Sequence, residues 1–173
     1  VAGVYEYSNG ETVFEVNKVS EIETFITLLV GAPESYEYTI AMRNDPLSLE
    51  DIPSQGTYHT RIHNDEAVYI TIHPEANLTS RTTIAALEID KIIDNPYLYE
   101  IPVYSANTQE NDYGYPVVDC GDATDSYTVI FLTLGSETTV FAEEHCIYIV
   151  GTDEDEIIRA ADRFIYSLLG IMD

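Results

Sequence analysis

Positive charge is what this sequence has least of. Lys18 and Lys91 are its only lysines, and with Arg43, Arg61, Arg81, Arg159 and Arg163 they make seven cations against 31 Asp and Glu, a formal net charge of −24. A field of that sign repels phosphate backbones and anionic headgroups, which argues against nucleic acid and acidic lipid as partners. It attracts cations. Three readings of the charge stay open: solubility in high salt, which the low lysine content suits; a solvated acidic surface that keeps molecules apart; and a surface that takes up divalent cations. The 19 Ile and 14 Tyr make a heavier core than salt adaptation calls for.

Long apolar runs are also missing. The longest candidate, Phe25 to Ala32, falls far short of the ~20 residues that cross a bilayer, so no membrane span is expected. The start, Val1-Ala2-Gly3-Val4, has no initiator Met, no basic stretch and no apolar stretch behind one; it reads as a mature end left by processing or as a cut in a longer chain. Catalytic signatures are absent: no GxSxG, HExxH, phosphate-binding P-loop or GxGxxG occurs, and 31 acids make many carboxylate pairs without singling one out. The expectation is a protein that is not an enzyme.

Cysteine is scarce but even in number. Cys120 lies in a Gly/Asp-rich loop and Cys146 in a strand-like run, with no CxxC to suggest zinc. The pair reads as one disulfide, and hence as an oxidising compartment, extracellular or at the cell surface. Asn77-Leu78-Thr79 is an N-glycosylation triplet and agrees with that location.

The 173 residues suffice for a real core in one generous domain, residues 1–173, with 1–97 and 98–173 as its two conceivable sub-units. Tyr5 and Tyr7 alternate with polar residues, Asn9-Gly10 turns the chain, and Val13 to Val16 returns, which predicts a hairpin. Ser20 with Glu23 reads as a capping box opening a helix with Ile22, Phe25, Ile26 and Leu29 on its apolar face, stopped by Gly31 and Pro33. Strands are expected at 36–42, at 58–63 paired with 68–73 as a second hairpin, and at 98–104, 127–134, 138–141 and 145–150. Helices are expected from Ser80 to Ile93 and from Asp153 to Leu169, the latter capped by Thr152. Residues 57–93 and 138–169 echo each other as strand, turn, strand, loop, helix. The fold class is therefore α+β: a mixed or mostly antiparallel sheet of hairpins with about three packed helices.

The irregular stretch from Ser105 to Ser126 is the leading site candidate, because loops of that length usually carry function. Asp119, Asp122 and Asp125 stand three apart around Gly121, with Glu110 and Asp112 able to fold in, an oxygen-rich set suited to a hard cation. Calcium is the candidate cofactor; a solvated acidic loop is the alternative. His59 and His63 fall on one face of the strand expected at 58–63, with His73 ending its partner. Four residues along a strand is too far for two imidazoles to share an ion, so these read as surface histidines. The alternating tyrosines suit amphipathic strands, and also stacking on sugars.

The C-terminal part carries Cys120-Gly121-Asp122-Ala123-Thr124, Val129-Ile130-Phe131-Leu132, Cys146-Ile147-Tyr148-Ile149-Val150-Gly151, Ile158-Arg159-Ala160-Ala161-Asp162-Arg163 and Leu169-Gly170-Ile171. In these runs it resembles the ends of some secreted archaeal surface proteins, surface-layer-related chains and extracellular filament or sheath subunits. The resemblance implies an extracellular structural or assembly role with the cysteine pair bridged, and it transfers no catalytic residue. The leading expectation is a structural subunit that assembles with copies of itself, its acidic surfaces cross-linked by divalent cations. A monomeric carbohydrate- or peptide-binding module and a hydrolase of another kind are the alternatives. The N-terminal hairpin, Val4 to Val16, is expected either to reach a neighbouring subunit or to pair within its own domain.

Overall fold

A computed structural model describes residues 2–173. It has an α+β fold of two sheets with helices between them. The first sheet is an antiparallel meander of β1 (Gly3–Ser8), β2 (Val13–Ser20), β3 (Glu23–Val30) and β4 (Tyr36–Met42) in chain order. The hairpin expected at the N-terminus is there, and it pairs within its own domain. Asn9 closes the turn by accepting the amides of Glu11 and Thr12 on Oδ1.

The helix expected after Ser20 is a correction. Ser20 pairs with Glu23 across a tight turn, and residues 23–30 form β3. The run satisfies a spacing of two as well as one of three and four. Thr24, Ile26 and Leu28 turn inward and are buried, while Leu29 faces out. Thr24, Ile26, Thr27 and Val30 are β-branched, which favours the pleated solution once a neighbour covers the inner face.

The second sheet has six strands in the order β5 (Ser54–Gln55), β9 (Thr139–Glu143), β10 (Cys146–Gly151), β8 (Tyr127–Leu134), β6 (Ala67–Ile72), β7 (Val103–Asn107). It is mixed: only β9 and β10 pair antiparallel, and the other four pairings are parallel. The second hairpin expected at 58–73 does not form. Residues 58–62 are instead a short helix, α1 (Tyr58–Ile62), because Tyr58 and Ile62 stand one helical turn apart and both are buried. β6 lies between two parallel neighbours, and its near-continuous apolar run is the mark of a strand buried on both faces. The strand expected at 98–104 begins only after Pro102, with Glu100 in the left-handed region just before it.

α2 (Ser80–Ile93) links β6 to β7, and α3 (Glu154–Leu168) follows β10. Thr79 caps α2; Asp153, not Thr152, caps α3, accepting the Glu156 amide. The echo between 57–93 and 138–169 is thus limited to strand followed by helix, β6–α2 and β10–α3. Both helices pack on the face of the second sheet formed by Val68, Ile70, Ile130, Leu132, Ile147 and Ile149, and the inner face of the first sheet closes over them. α3 accordingly buries residues around its whole circumference, Asp162 and Arg163 included. The chain reverses direction across the sheet after β7, so its next parallel crossover passes over the opposite face. Residues 108–126 make that crossing without an α-helix, held by a Thr71 hydroxyl bond to the Val118 carbonyl and by the Cys120–Cys146 disulfide, whose Cα atoms are 5.3 Å apart. No helix of the described residues is long and apolar enough to cross a membrane.

Candidate functional site

Three surfaces present chemistry. The first is the crossing loop. Asp119 accepts the Gly121 amide at 2.9 Å, and Asp122 reaches back to the Asp119 amide at 2.9 Å, so the two carboxylates close a reciprocal cap on the single 3₁₀ turn of residues 120–122. Asp125 turns away to pair with His145 at 2.7 Å. Glu110 and Asp112 sit in the exposed or half-buried stretch before Tyr113, which an Asn111 side-chain turn organises through the amides of Tyr113 and Tyr115. The structure therefore brings Asp119 and Asp122 together and gives the other three separate places. Among the described residues no group of three or more His, Cys, Asp or Glu side chains converges on one point. Asn77 is exposed in the loop before α2, with its backbone in the left-handed region that Asn tolerates.

The second surface is the face of the six-stranded sheet away from the helices. Strand register puts Tyr69, Tyr104, Tyr127, Phe131, Phe141 and Tyr148 on it. The crossing loop divides it. On one side Tyr69 touches Tyr104 and Tyr127, with ring centroids 5.6 and 6.3 Å apart; on the other, Tyr148 stacks on Phe141 at 4.7 Å and meets Phe131 edge-on. Tyr104 and Tyr127 are exposed and the remaining four rings half-buried.

The third is the border of the first sheet. β1 is tied to the body by its inward tyrosines. Tyr5 donates to Asp45, and Tyr7 to Glu50 at 3.0 Å. Burial first, and then the bond to Glu50, pushes the Tyr7 hydroxyl up to about 12. Burial pushes Asp45 toward the neutral form, but hydrogen bonds from Tyr5, Lys18 and Ser48 outweigh it and hold the carboxyl below its ordinary value. Lys18 completes the arrangement 3.1 Å from Asp45. The other side of β1 has no strand partner among the described residues, and neither does the outer side of β4. Val4 on β1 is 69% exposed.

A feature that the sequence reading did not foresee is a cavity of about 680 Å³ beside α1, with His59, His63, Tyr97, Tyr99 and Leu168 in its wall. On a helix, His59 and His63 are one turn apart, and their rings stack with centroids 5.2 Å apart. The signal was the four-residue spacing itself; it was hidden by reading 58–63 as a strand. Compared with protein-family models, with curated proteins and with solved structures, the chain finds no match in any of the three.

Proposed function

We propose that this protein is an extracellular structural subunit that assembles with copies of itself. The observation that carries the reading is the pair of open borders on the four-stranded sheet. β1 and β4 have six and seven residues, matched in length, and run in opposite directions. Setting β4 of one copy beside β1 of the next continues the antiparallel pattern and satisfies both rows of free backbone groups. Such a contact is head-to-tail, and it builds a filament or layer wherever the rotation does not close. Neither strand contains the proline that proteins use to blunt an edge. Glu6 and Glu37 flank the two borders on the outer face, and each copy carries −24, so calcium or another divalent cation is the expected counter-ion between copies. The disulfide supports an oxidising location, and the resemblance to secreted archaeal surface proteins points the same way.

Light scattering and electron microscopy with and without calcium test the proposal. Polymers that grow when calcium is added support it. A monomer at high concentration under both conditions overturns it.

A second reading is favoured by the aromatic face. Six rings on one sheet face, in a cluster on either side of the crossing loop, offer stacking surfaces for sugar rings or an extended peptide, the work of a monomeric binding module. Saturable quenching of tyrosine fluorescence by oligosaccharides, in a protein that stays monomeric, would move the assignment to that class.

A further inference from the structure

α1 turns two sides of its single turn to different tasks. Tyr58 and Ile62 point into the core, and His59 and His63 point into the cavity. Helical residues four apart lie one above the other, and the imidazole planes here are only 13° from parallel.

The hydrogen bonds settle where each ring carries its proton. His63 places Nδ1 3.1 Å from the His59 carbonyl oxygen, which can only accept. Nδ1 of His63 therefore holds a proton, and in the neutral ring Nε2 holds the lone pair. His59 places Nδ1 2.9 Å from the Tyr99 hydroxyl, and that hydroxyl donates its own proton to the Leu168 carbonyl at 3.2 Å. The Tyr99 oxygen thus accepts from Nδ1–H of His59, and the lone pair of this ring is again on Nε2. Neither Nε2 has a hydrogen-bond partner among the described residues.

Two adjacent imidazoles, each with Nδ1–H anchored on an oxygen and Nε2 free, have the disposition of metal-ligating histidines, whose second-shell bond fixes tautomer and ring direction. Imidazole suits the zinc, copper and nickel class of cations; hard ions such as calcium prefer carboxylate oxygen. A chain of charge −24 raises the local concentration of any divalent cation at its surface. Bond lengths of about 2.0–2.1 Å to each nitrogen require the two Nε2 atoms to close to roughly 3.3 Å, which side-chain rotation of exposed rings allows.

We propose that His59 and His63 chelate one divalent first-row transition cation through their Nε2 atoms at the mouth of the cavity beside α1. Two protein ligands leave the remaining positions open to water, or to a ligand lying in the cavity.

Copper(II) is the probe, titrated into the whole protein in excess calcium so that carboxylate sites are occupied. Calorimetry should give one site per chain. The electron paramagnetic resonance spectrum at one equivalent should show hyperfine coupling to two nitrogens. His59→Gln or His63→Gln should weaken binding by at least about ten-fold and leave one coupled nitrogen. Tyr99→Phe should weaken it by about ten-fold or more with both nitrogens retained, since it removes only the acceptor for Nδ1. The double variant His73→Gln, His145→Gln should bind as the parent does. The proposal is overturned if the parent has no saturable site, if its spectrum shows fewer than two nitrogens, or if the double variant His59→Gln, His63→Gln binds equally tightly. The nitrogen count is read on the unaltered protein, so it decides the matter even if a variant fails to fold.

Discussion

Asp162 on α3 lies beside Glu88 on α2 in the layer between the two sheets, and Asp162 is fully buried there, with no hydrogen-bond partner on its Oδ1. Asn44 donates both its backbone amide and its side-chain amide to Oδ2 of Asp162 at 2.9 Å, and Oδ1 is left without a partner. Lys91 balances Glu88 at 2.6 Å. Burial first, and then the neighbouring Glu88 carboxyl, raise the Asp162 pKa well above its ordinary value.

That arrangement predicts a stability that depends on pH with a definite sign. The folded chain holds a proton that the unfolded chain releases above about pH 4. The contribution of Asp162 is whole below that value and is lost as pH rises through the raised pKa. Asp162→Asn keeps an acceptor for Asn44 but carries no charge and has no proton to lose. Thermal melts from pH 4 to pH 8 should show the variant gaining on the parent as pH rises. Parallel curves would contradict the assignment. Asp162→Ala strands the partners and should cost about 2–4 kcal/mol at any pH.

Asp45, paired with Lys18, titrates in the opposite sense. Asp45 is held below its ordinary value, so its contribution is present above about pH 4 and fades as pH falls. Lys18→Met should cost about 2 kcal/mol at pH 7, because it leaves a buried carboxylate with fewer partners. Urea denaturation at pH 7 and pH 3 checks this: the difference from the parent should shrink at the lower pH.

The disulfide closes a loop between positions 26 residues apart. Loop entropy alone assigns it about 3.5 kcal/mol, which for a domain of this size is a fall of roughly 10 °C in Tm on reduction or in Cys120→Ser. Alkylation of the unreduced protein, followed by mass measurement, should find no modified cysteine.

If assembly runs through the border of β1, a charge placed there should stop it without harming the fold. Val4→Lys changes a side chain that is already in solvent, so Tm should move by less than about 0.5 kcal/mol equivalent while polymers disappear. Polymers that persist would move the contact elsewhere.

What the sequence disclosed, it disclosed through periodicity. α2, β8 and β10 lie where the apolar spacing predicts, and α3 is displaced only at its cap. Residues 23–30 and 58–62 were misread because their apolar residues fit both a two-residue and a four-residue repeat, and burial by distant elements made the choice. The paired histidines were hidden for the same reason: four residues span about 13 Å on a strand, but only about 6 Å on a helix. Asp162 and Arg163 read as the polar side of an amphipathic helix; only the second covering sheet takes that side out of water. The parallel order of β6, β8 and β10 depends on crossovers that no local pattern records.

The filling of the middle layer also dictates a timetable. α3 comes after all ten described strands in the chain, yet both sheets rest on it. A nascent chain that has not yet emitted residues 154–168 has only α2 to put between its two sheets. Synthesis from the N-terminus therefore leaves the core shared by the two sheets unfinished until α3 has been made.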